Sequence, residues 1–389
     1  MILLLLLLVL GLAESKPILV IEFLRHGARS PISPQPFFNY TTWKIPGELT
    51  AVGERQHYLL GYLRRKHYIE NIGFLPKVYD PSLIYAMTSE ITRTIKTLES
   101  YMVGLYPEGL RKLNNNQMGK SKDFLKPRMR LTINQSIIDD LHSSAVPFDI
   151  PAIHFSHLKG AKDRLLLFAE CPLSAETSRK FHEQFDTFFN GYNDLWLKVL
   201  SNYNNFTMSQ LRNYAVSFCD FILCADTDGV KPLFITEQIL SRCKDFIGGY
   251  LRDIISFDHK STKASSKPIA STVLDWMQKV RNKQTKVKYV VYSAHDTTLI
   301  RVLLALREIQ KSIVITRSPA FASNVLFELS DDGKVDIYYD GDHIYKENYQ
   351  KFKEDLERTA ELHISYEEAC RVQRNIRFTG NTYWDPYSH

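Results

Sequence analysis

The stretch Ile18-Leu19-Val20-Ile21-Glu22-Phe23-Leu24 runs directly into Arg25-His26-Gly27-Ala28-Arg29-Ser30-Pro31. The first seven residues have strand length, and a nearly continuous apolar run is what a strand covered on both faces requires. Such strands sit in the middle of α/β sheets, where the loops leaving the carboxyl ends of parallel strands carry the functional site. Here that loop sets two guanidiniums around one imidazole. Gly27 permits a close backbone turn, and arginine offers planar forked donors that match phosphate oxygens. The block suits a phosphoryl group held against His26, whereas an isolated Arg-His-Gly tripeptide would more simply be a basic surface loop.

Further along the chain Val52, Leu59, Leu60 and Leu63 share one helical face, and Ser82 to Met87 is a second short apolar run. Ile91, Ile95, Leu98, Met102 and Leu105 then follow the spacing of an amphipathic helix that stops before Pro107. From Ser174 to about Ile255 the chain reads as helices rich in Phe, Tyr and Leu, which predicts a helical insertion, and the Lys/Ser-rich His259 to Pro268 reads as a linker back to the core. Lys288 to Ser293 is again a buried-type strand, followed by a helix marked by Leu299, Val302, Leu303 and Leu306. Val325 to Leu329 and Val335 to Tyr339 flank Ser330-Asp331-Asp332-Gly333, which predicts a hairpin.

Two further blocks fall at strand-to-helix junctions. In Ser293-Ala294-His295-Asp296-Thr297-Thr298, unpaired N–H groups at a helix start favour anions, His295 can donate a hydrogen bond, and Asp296 can supply a proton to a leaving oxygen. Alone, Asp296 is explained as well by a helix cap. In Thr88-Ser89-Glu90-Ile91-Thr92-Arg93-Thr94, Arg93 lies off the apolar stripe near the helix start and could complete a cationic clamp. As a lone residue it would be a solvated surface arginine.

With 389 residues, 44% hydrophobic and 24% charged, the chain can bury a sizeable core, which excludes disorder and a small disulfide scaffold. The net charge of +6 is scattered along the chain, unlike a nucleic-acid-binding patch. Ile2 to Leu12 is too short to span a bilayer and precedes Ala13-Glu14-Ser15, so residues 1–15 read as a cleaved secretory signal with no transmembrane helix afterwards. That compartment would allow disulfides among Cys171, Cys219, Cys224, Cys243 and Cys370, and glycans on Asn39, Asn134 and Asn205. No His/Cys cluster has zinc-like spacing, so no metal or other cofactor is expected.

Taken together, Arg25 to Pro31, Gly47-Glu48-Leu49-Thr50 with Gly53 and Gln56-His57-Tyr58, Arg93-Thr94, and Tyr292 to Thr298 resemble the histidine acid phosphatase branch of the histidine phosphatase superfamily. Within that branch the blocks resemble lysosomal- and prostatic-type acid phosphatases. The resemblance implies an α/β fold with a Rossmann-like mixed sheet flanked by helices and an inserted, mainly helical cap. The chain would divide into 16–170 (first part of the core), 171–265 (cap) and 266–389 (second part of the core). It further implies that His26 attacks phosphorus to give a phosphohistidine, that Arg25, Arg29, Arg93 and His295 hold the phosphoryl oxygens, and that Asp296 protonates the leaving alcohol. Activity in acid, a Cys171–Cys370 disulfide and a secreted or lysosomal location follow from the same resemblance.

The expected partner is a small phosphate monoester, with no nucleic acid and with homodimerisation left open. A phytase-like or lysophosphatidate phosphatase is the alternative within the family, and an inactive secreted binding protein the alternative outside it. One departure stands out: Met87 occupies the position where the family pattern has an arginine ahead of the clamp. No cysteine lies between Phe321 and Asn324, where the family's second bridge would be expected, so Cys219, Cys224 and Cys243 stay unassigned.

Overall fold

In the computed structural model, β1 (Pro17–Arg25) lies at the centre of a seven-stranded sheet. β2 (Ile84–Thr88), β3 (Phe155–Ser156) and β4 (Tyr289–Ala294) lie on one side of it, and β5 (Asn324–Ser330), β6 (Lys334–Tyr339) and β7 (Asp342–Asn348) on the other. The order is β3-β2-β4-β1-β5-β6-β7. The first four of these pair in parallel, while β5 runs antiparallel to β1 and continues into the antiparallel β6 and β7. The sheet is therefore mixed, as expected for the fold class. The structure describes residues 15–33, 43–107, 155–157, 163–167, 171–202, 206–230 and 235–371. The apolar run Ile2 to Leu12 and the sequons at Asn39, Asn134 and Asn205 lie outside them.

Alternation along β1 explains why its residues are nearly all apolar. Leu19, Ile21 and Phe23 enter a core shared with Trp196, Phe246 and Leu299, whereas Val20 and Leu24 enter a second core with Leu98, Tyr101 and Met102. The second core is closed by α1 (Ala51–Arg64) and α2 (Thr92–Leu105), which pack against each other. Helices α3 (Pro172–Glu183), α4 (Phe185–Asn190), α5 (Asn193–Asn202), α6 (Met208–Thr227) and α7 (Glu237–Ser256) come between β3 and β4 in the chain and supply the aromatic part of the first core.

The expected linker His259–Pro268 is instead the first half of a single helix, α8 (His259–Arg281). The chain starts it with a capping box in which the Asp258 side chain accepts from Ser261 N at 2.7 Å. The small residues that looked like linker composition allow close packing, because Ser261, Ala264, Ser265 and Ser266 are buried, and the Arg301 Nε donates to the Ser265 carbonyl at 3.0 Å. Lys267 is buried too, with its ammonium donating to the carbonyls of Glu361 and Ile364. Residue 265, the expected end of the insertion, thus falls inside a continuous helix, and Pro268 is accommodated there although it lacks the N–H for the carbonyl four residues earlier.

β4 leads into α9 (Asp296–Ile309), and β7 into α10 (Tyr349–Thr359) and the short α11 (Tyr366–Ala369). Disulfides join Cys171 to Cys370, across 199 positions, and Cys219 to Cys243, which staples α6 to α7. Cys224 is a buried free thiol. Among the described residues, no helix is long and apolar enough to cross a membrane.

Candidate active site

Strand register brings the three sequence blocks to one edge. Arg25 at the end of β1 lies beside Ala294, and Thr88 at the end of β2 beside Ser293, so His26, Ser89 and His295 emerge side by side. The His26 N–H donates to the Ala294 carbonyl at 2.9 Å, and the Ala322 N–H donates to the His26 carbonyl at 3.1 Å, which draws the segment before β5 over the same edge. Gly27 is required by close approach: a Cβ there would lie 2.4 Å from the Gly53 carbonyl oxygen, and a Cβ on Gly53 only 2.2 Å from that of Ala28. The two glycines let the start of α1 press directly on the loop, where the Gln56 side chain accepts the Ala28 N–H at 2.9 Å.

His26 is only 1% exposed. Its Nδ1 lies 2.9 Å from the Gly27 carbonyl oxygen, an acceptor only, so Nδ1 carries the proton and the lone pair of the neutral ring is on Nε2. Burial, followed by the positive charges of Arg93, Arg25 and Arg29, pushes the His26 pKa well below the usual imidazole range. His295 is displaced in the same direction by burial and by the same three arginines. The two rings sit edge to face with centroids 5.6 Å apart, and Ser89 Oγ lies 2.9 Å from His295 Nε2. The lowered pKa favours a neutral His26 ring with a free lone pair in mildly acidic solution, where a free imidazole would take up a proton.

The arginines are held from behind. Arg25 pairs with Asp296 at 2.8 Å, donates to the Pro319 carbonyl, and lies over the Phe321 ring at 4.3 Å. Arg29 meets Asp220 of α6 through both terminal nitrogens, at 2.8 and 3.2 Å, and donates to the Ser30 carbonyl at 3.0 Å. The Nε–H groups of Arg25 and Arg29 are buried without a hydrogen-bond partner among the described residues. Two buried donors left unmatched at a cationic edge are costly unless an anion arrives to accept them. Arg93, on the first turn of α2, is buried close by, and its Nη1 donates to the Gly47 carbonyl at 3.5 Å. Its charge is felt by both histidines.

Asp296 is the most accessible member of the group, with 17% of its side chain exposed, and its other oxygen accepts the Thr297 N–H at 2.8 Å. A carboxyl at the mouth of an anion pocket can reach the oxygen that links phosphorus to a leaving group. Met87 is buried in the first core, so the cation that the family pattern has at this position is replaced by apolar packing. Among the described residues no group of three or more His, Cys, Asp or Glu side chains could hold a metal ion.

All six sequence-predicted site residues thus meet at one strand edge. Sequence reasoning missed Asp220, Phe321 and the Pro319 carbonyl. The signal for Asp220 was a lone carboxylate inside the apolar run Phe218 to Leu223; the other two left none.

A buried cationic ring around a neutral imidazole, with a carboxyl at the entrance, is the arrangement of a hydrolase that acts on phosphate esters. The family model of the histidine phosphatase superfamily (branch 2) matches residues 18–345, and the chain belongs to that family. It is 28% identical to lysosomal acid phosphatase of Bos taurus over 333 residues, covering 81% of this chain and 68% of that protein. Prostatic acid phosphatase of Bos taurus is 24% identical over 327 residues, covering 81% of this chain and 75% of that protein. Among solved structures, Hafnia alvei phytase in complex with tartrate matches with a TM-score of 0.61 at 14% identity, over 93% of this chain and 100% of that one. Klebsiella sp. ASR1 phytase matches with a TM-score of 0.59 at 12% identity, over 93% and 100%. The fold is shared with these phytases, and the family makes the chain a phosphoric monoester hydrolase.

The supporting histidine gives a testable pH dependence. His57 Nε2 lies 2.9 Å from the Arg25 carbonyl oxygen, and burial lowers its pKa from 6.5 to about 4. A histidine whose folded pKa is depressed costs stability as pH falls: the unfolded chain takes up the proton below 6.5, while the folded one refuses it until about 4. The loss should reach about 2–3 kcal/mol near pH 4.5. His57→Gln keeps a donor and cannot be protonated, so its urea unfolding free energy should decline less between pH 7.5 and 4.5 than that of the parent. Equal declines would show that His57 does not titrate across this range.

Proposed function

We propose that this chain is a secreted or lysosomal acid phosphatase that hydrolyses small phosphate monoesters through a phosphohistidine at His26. The observation that carries the reading is the buried His26 ring, fixed through Nδ1 so that Nε2 holds the lone pair, beside two arginines whose Nε–H donors await an anion. In the first step Nε2 attacks phosphorus, the bond to the ester oxygen breaks, and Asp296 passes its proton to that oxygen to release the alcohol. In the second step water attacks phosphorus, the P–N bond breaks, Asp296 takes the proton from water, and inorganic phosphate leaves. Arg25, Arg29, Arg93 and His295 neutralise the equatorial oxygens throughout.

Acid suits this chemistry because the depressed pKa of His26 keeps the nucleophile available. An incoming phosphate also competes with Asp296 for Arg25, which loosens the carboxyl from its ion pair when it has to act. The apolar run at residues 2–12, the two disulfides and the names of the relatives support a secretory route.

The test is hydrolysis of 4-nitrophenyl phosphate from pH 3 to 8, with and without exhaustive chelation, combined with rapid acid-avoiding quench of labelled substrate. Activity highest below pH 7, unaffected by chelator, with acid-labile label on the protein, is the expected result, since fixed guanidiniums supply the positive charge. Loss of activity on chelation that a divalent ion restores would overturn it.

A further inference from the structure

We propose that Asp220, carried by α6, is a positioning residue that aims Arg29 at the phosphoryl group. The inference rests on the phosphatase reading above and adds a role for the helical region that lies between β3 and β4.

Both Asp220 oxygens are already engaged. Oδ1 accepts from Arg29 Nη2 at 2.8 Å, while Oδ2 accepts from Arg29 Nη1 at 3.2 Å and from the Ile32 N–H at 3.1 Å. A carboxylate that meets both terminal nitrogens of one guanidinium holds that group in place. Asp220 takes the end-on edge of the guanidinium, formed by the two terminal nitrogens, and leaves the Nε–H, which is buried and unmatched. A bidentate carboxylate fixes the plane as well as the position of a guanidinium, which a backbone carbonyl alone does not.

The arrangement parallels that of Arg25. Each arginine is gripped by one carboxylate and one backbone carbonyl, Asp296 and Pro319 for Arg25, Asp220 and Ser30 for Arg29. The difference is that Asp220 grips Arg29 through both of its oxygens, whereas Asp296 meets Arg25 through Oδ2 and gives Oδ1 to the Thr297 N–H.

The helix that carries Asp220 is itself anchored. Cys219, its immediate neighbour, is bonded to Cys243 of α7, and Asp228 at the end of α6 accepts the Trp43 indole N–H at 2.9 Å. Burial works against the charge on Arg29 and Asp220 more than offsets it, so the guanidinium stays charged in a dry pocket. Cys224, one turn further on, has its thiol 3.4 Å from Arg29 Nη1, and its pKa is pushed up by burial, so it adds a neutral contact to the same grip.

The experiment compares Asp220→Asn, Asp220→Glu, Arg29→Ala and the double variant Arg29→Ala/Asp220→Asn with the parent. It measures kcat and KM for 4-nitrophenyl phosphate, the inhibition constant of inorganic phosphate, and the thermal midpoint. Misplacing a catalytic cation by a fraction of an ångström to an ångström costs up to about 100-fold. Asp220→Asn is therefore expected to lower kcat/KM by roughly 10- to 100-fold and to weaken phosphate inhibition, with Asp220→Glu partly restoring both. In the Arg29→Ala background the same change should have less than about a threefold effect, because Asp220 then has nothing to position. An equal loss in both backgrounds would mean that Asp220 acts by holding Ile32 and the loop, and would overturn the proposal. So would parent-like kcat/KM and phosphate inhibition in both Asp220 variants. If Arg29→Ala itself leaves phosphate inhibition unchanged, the phosphatase reading of the pocket fails, and the role of Asp220 with it.

Discussion

His26→Ala lowers turnover of 4-nitrophenyl phosphate by roughly 10^4- to 10^6-fold and leaves no acid-labile phosphate on the protein. That is the expected result if Nε2 of His26 is the atom that attacks, because the nearby His295 has its Nε2 against Ser89. The fold should survive, since the change is confined to one side chain at the strand edge and leaves the apolar residues of both cores in place. Asp296→Asn separates the two roles. Without a proton donor, alkyl phosphates should slow by about 10²- to 10⁴-fold, whereas 4-nitrophenyl phosphate, whose leaving group is stable as an anion, should slow far less. Label retained on a folded His26→Ala variant, or equal slowing of both substrates in Asp296→Asn, would move the chemistry to other residues.

How much of this was legible in the sequence depended on range. β1 and β4 could be read because an unbroken apolar run of strand length needs both faces covered, and the loops at their ends named His26, His295 and Asp296 before any geometry was known. α2 could be read from its apolar spacing. α8 could not, because Lys, Ser and Thr are typical of linkers, and only the packing of α8 against its neighbours shows that small side chains were needed there. β3 and β7 were missed for another reason. β3 has two residues, and the polar, half-exposed β7 gains its strand character from pairing with β6. Contacts between distant positions were silent altogether. Arg29 and Asp220 are 191 positions apart, and nothing in either local sequence marks the other. Cys219 and Cys243 likewise became a pair only when α6 and α7 came together.

The one polar residue in the opening strand leads to the largest expected effect on stability. Glu22 is fully buried among the apolar residues of β1, where an uncompensated carboxylate would be prohibitive. Four donors satisfy it: Arg64 through Nε at 3.1 Å and Nη2 at 2.7 Å, and the hydroxyls of Tyr101 and Tyr289, each at 2.6 Å. Burial, and then the Glu22 carboxylate, push the pKa of both tyrosines well above the ordinary phenol value, so they remain neutral donors. The cluster ties α1 and α2 to β1 and β4, three residues before Arg25, and so supports the floor beneath the catalytic edge. Glu22→Leu leaves the Arg64 guanidinium without its carboxylate, keeping Asn324 as a partner, and the Tyr101 and Tyr289 hydroxyls with each other, and should lower the unfolding free energy by about 3–5 kcal/mol, read as a lower urea midpoint at pH 7. Glu22→Leu/Arg64→Leu should recover much of that loss, because a buried ion pair replaced as a unit leaves no charge behind. If the double variant is as unstable as the single one, the cost lies in overpacking or in the tyrosine hydroxyls left without Glu22, and Tyr101→Phe/Tyr289→Phe added to Glu22→Leu decides between them by removing the hydroxyls without changing the rings.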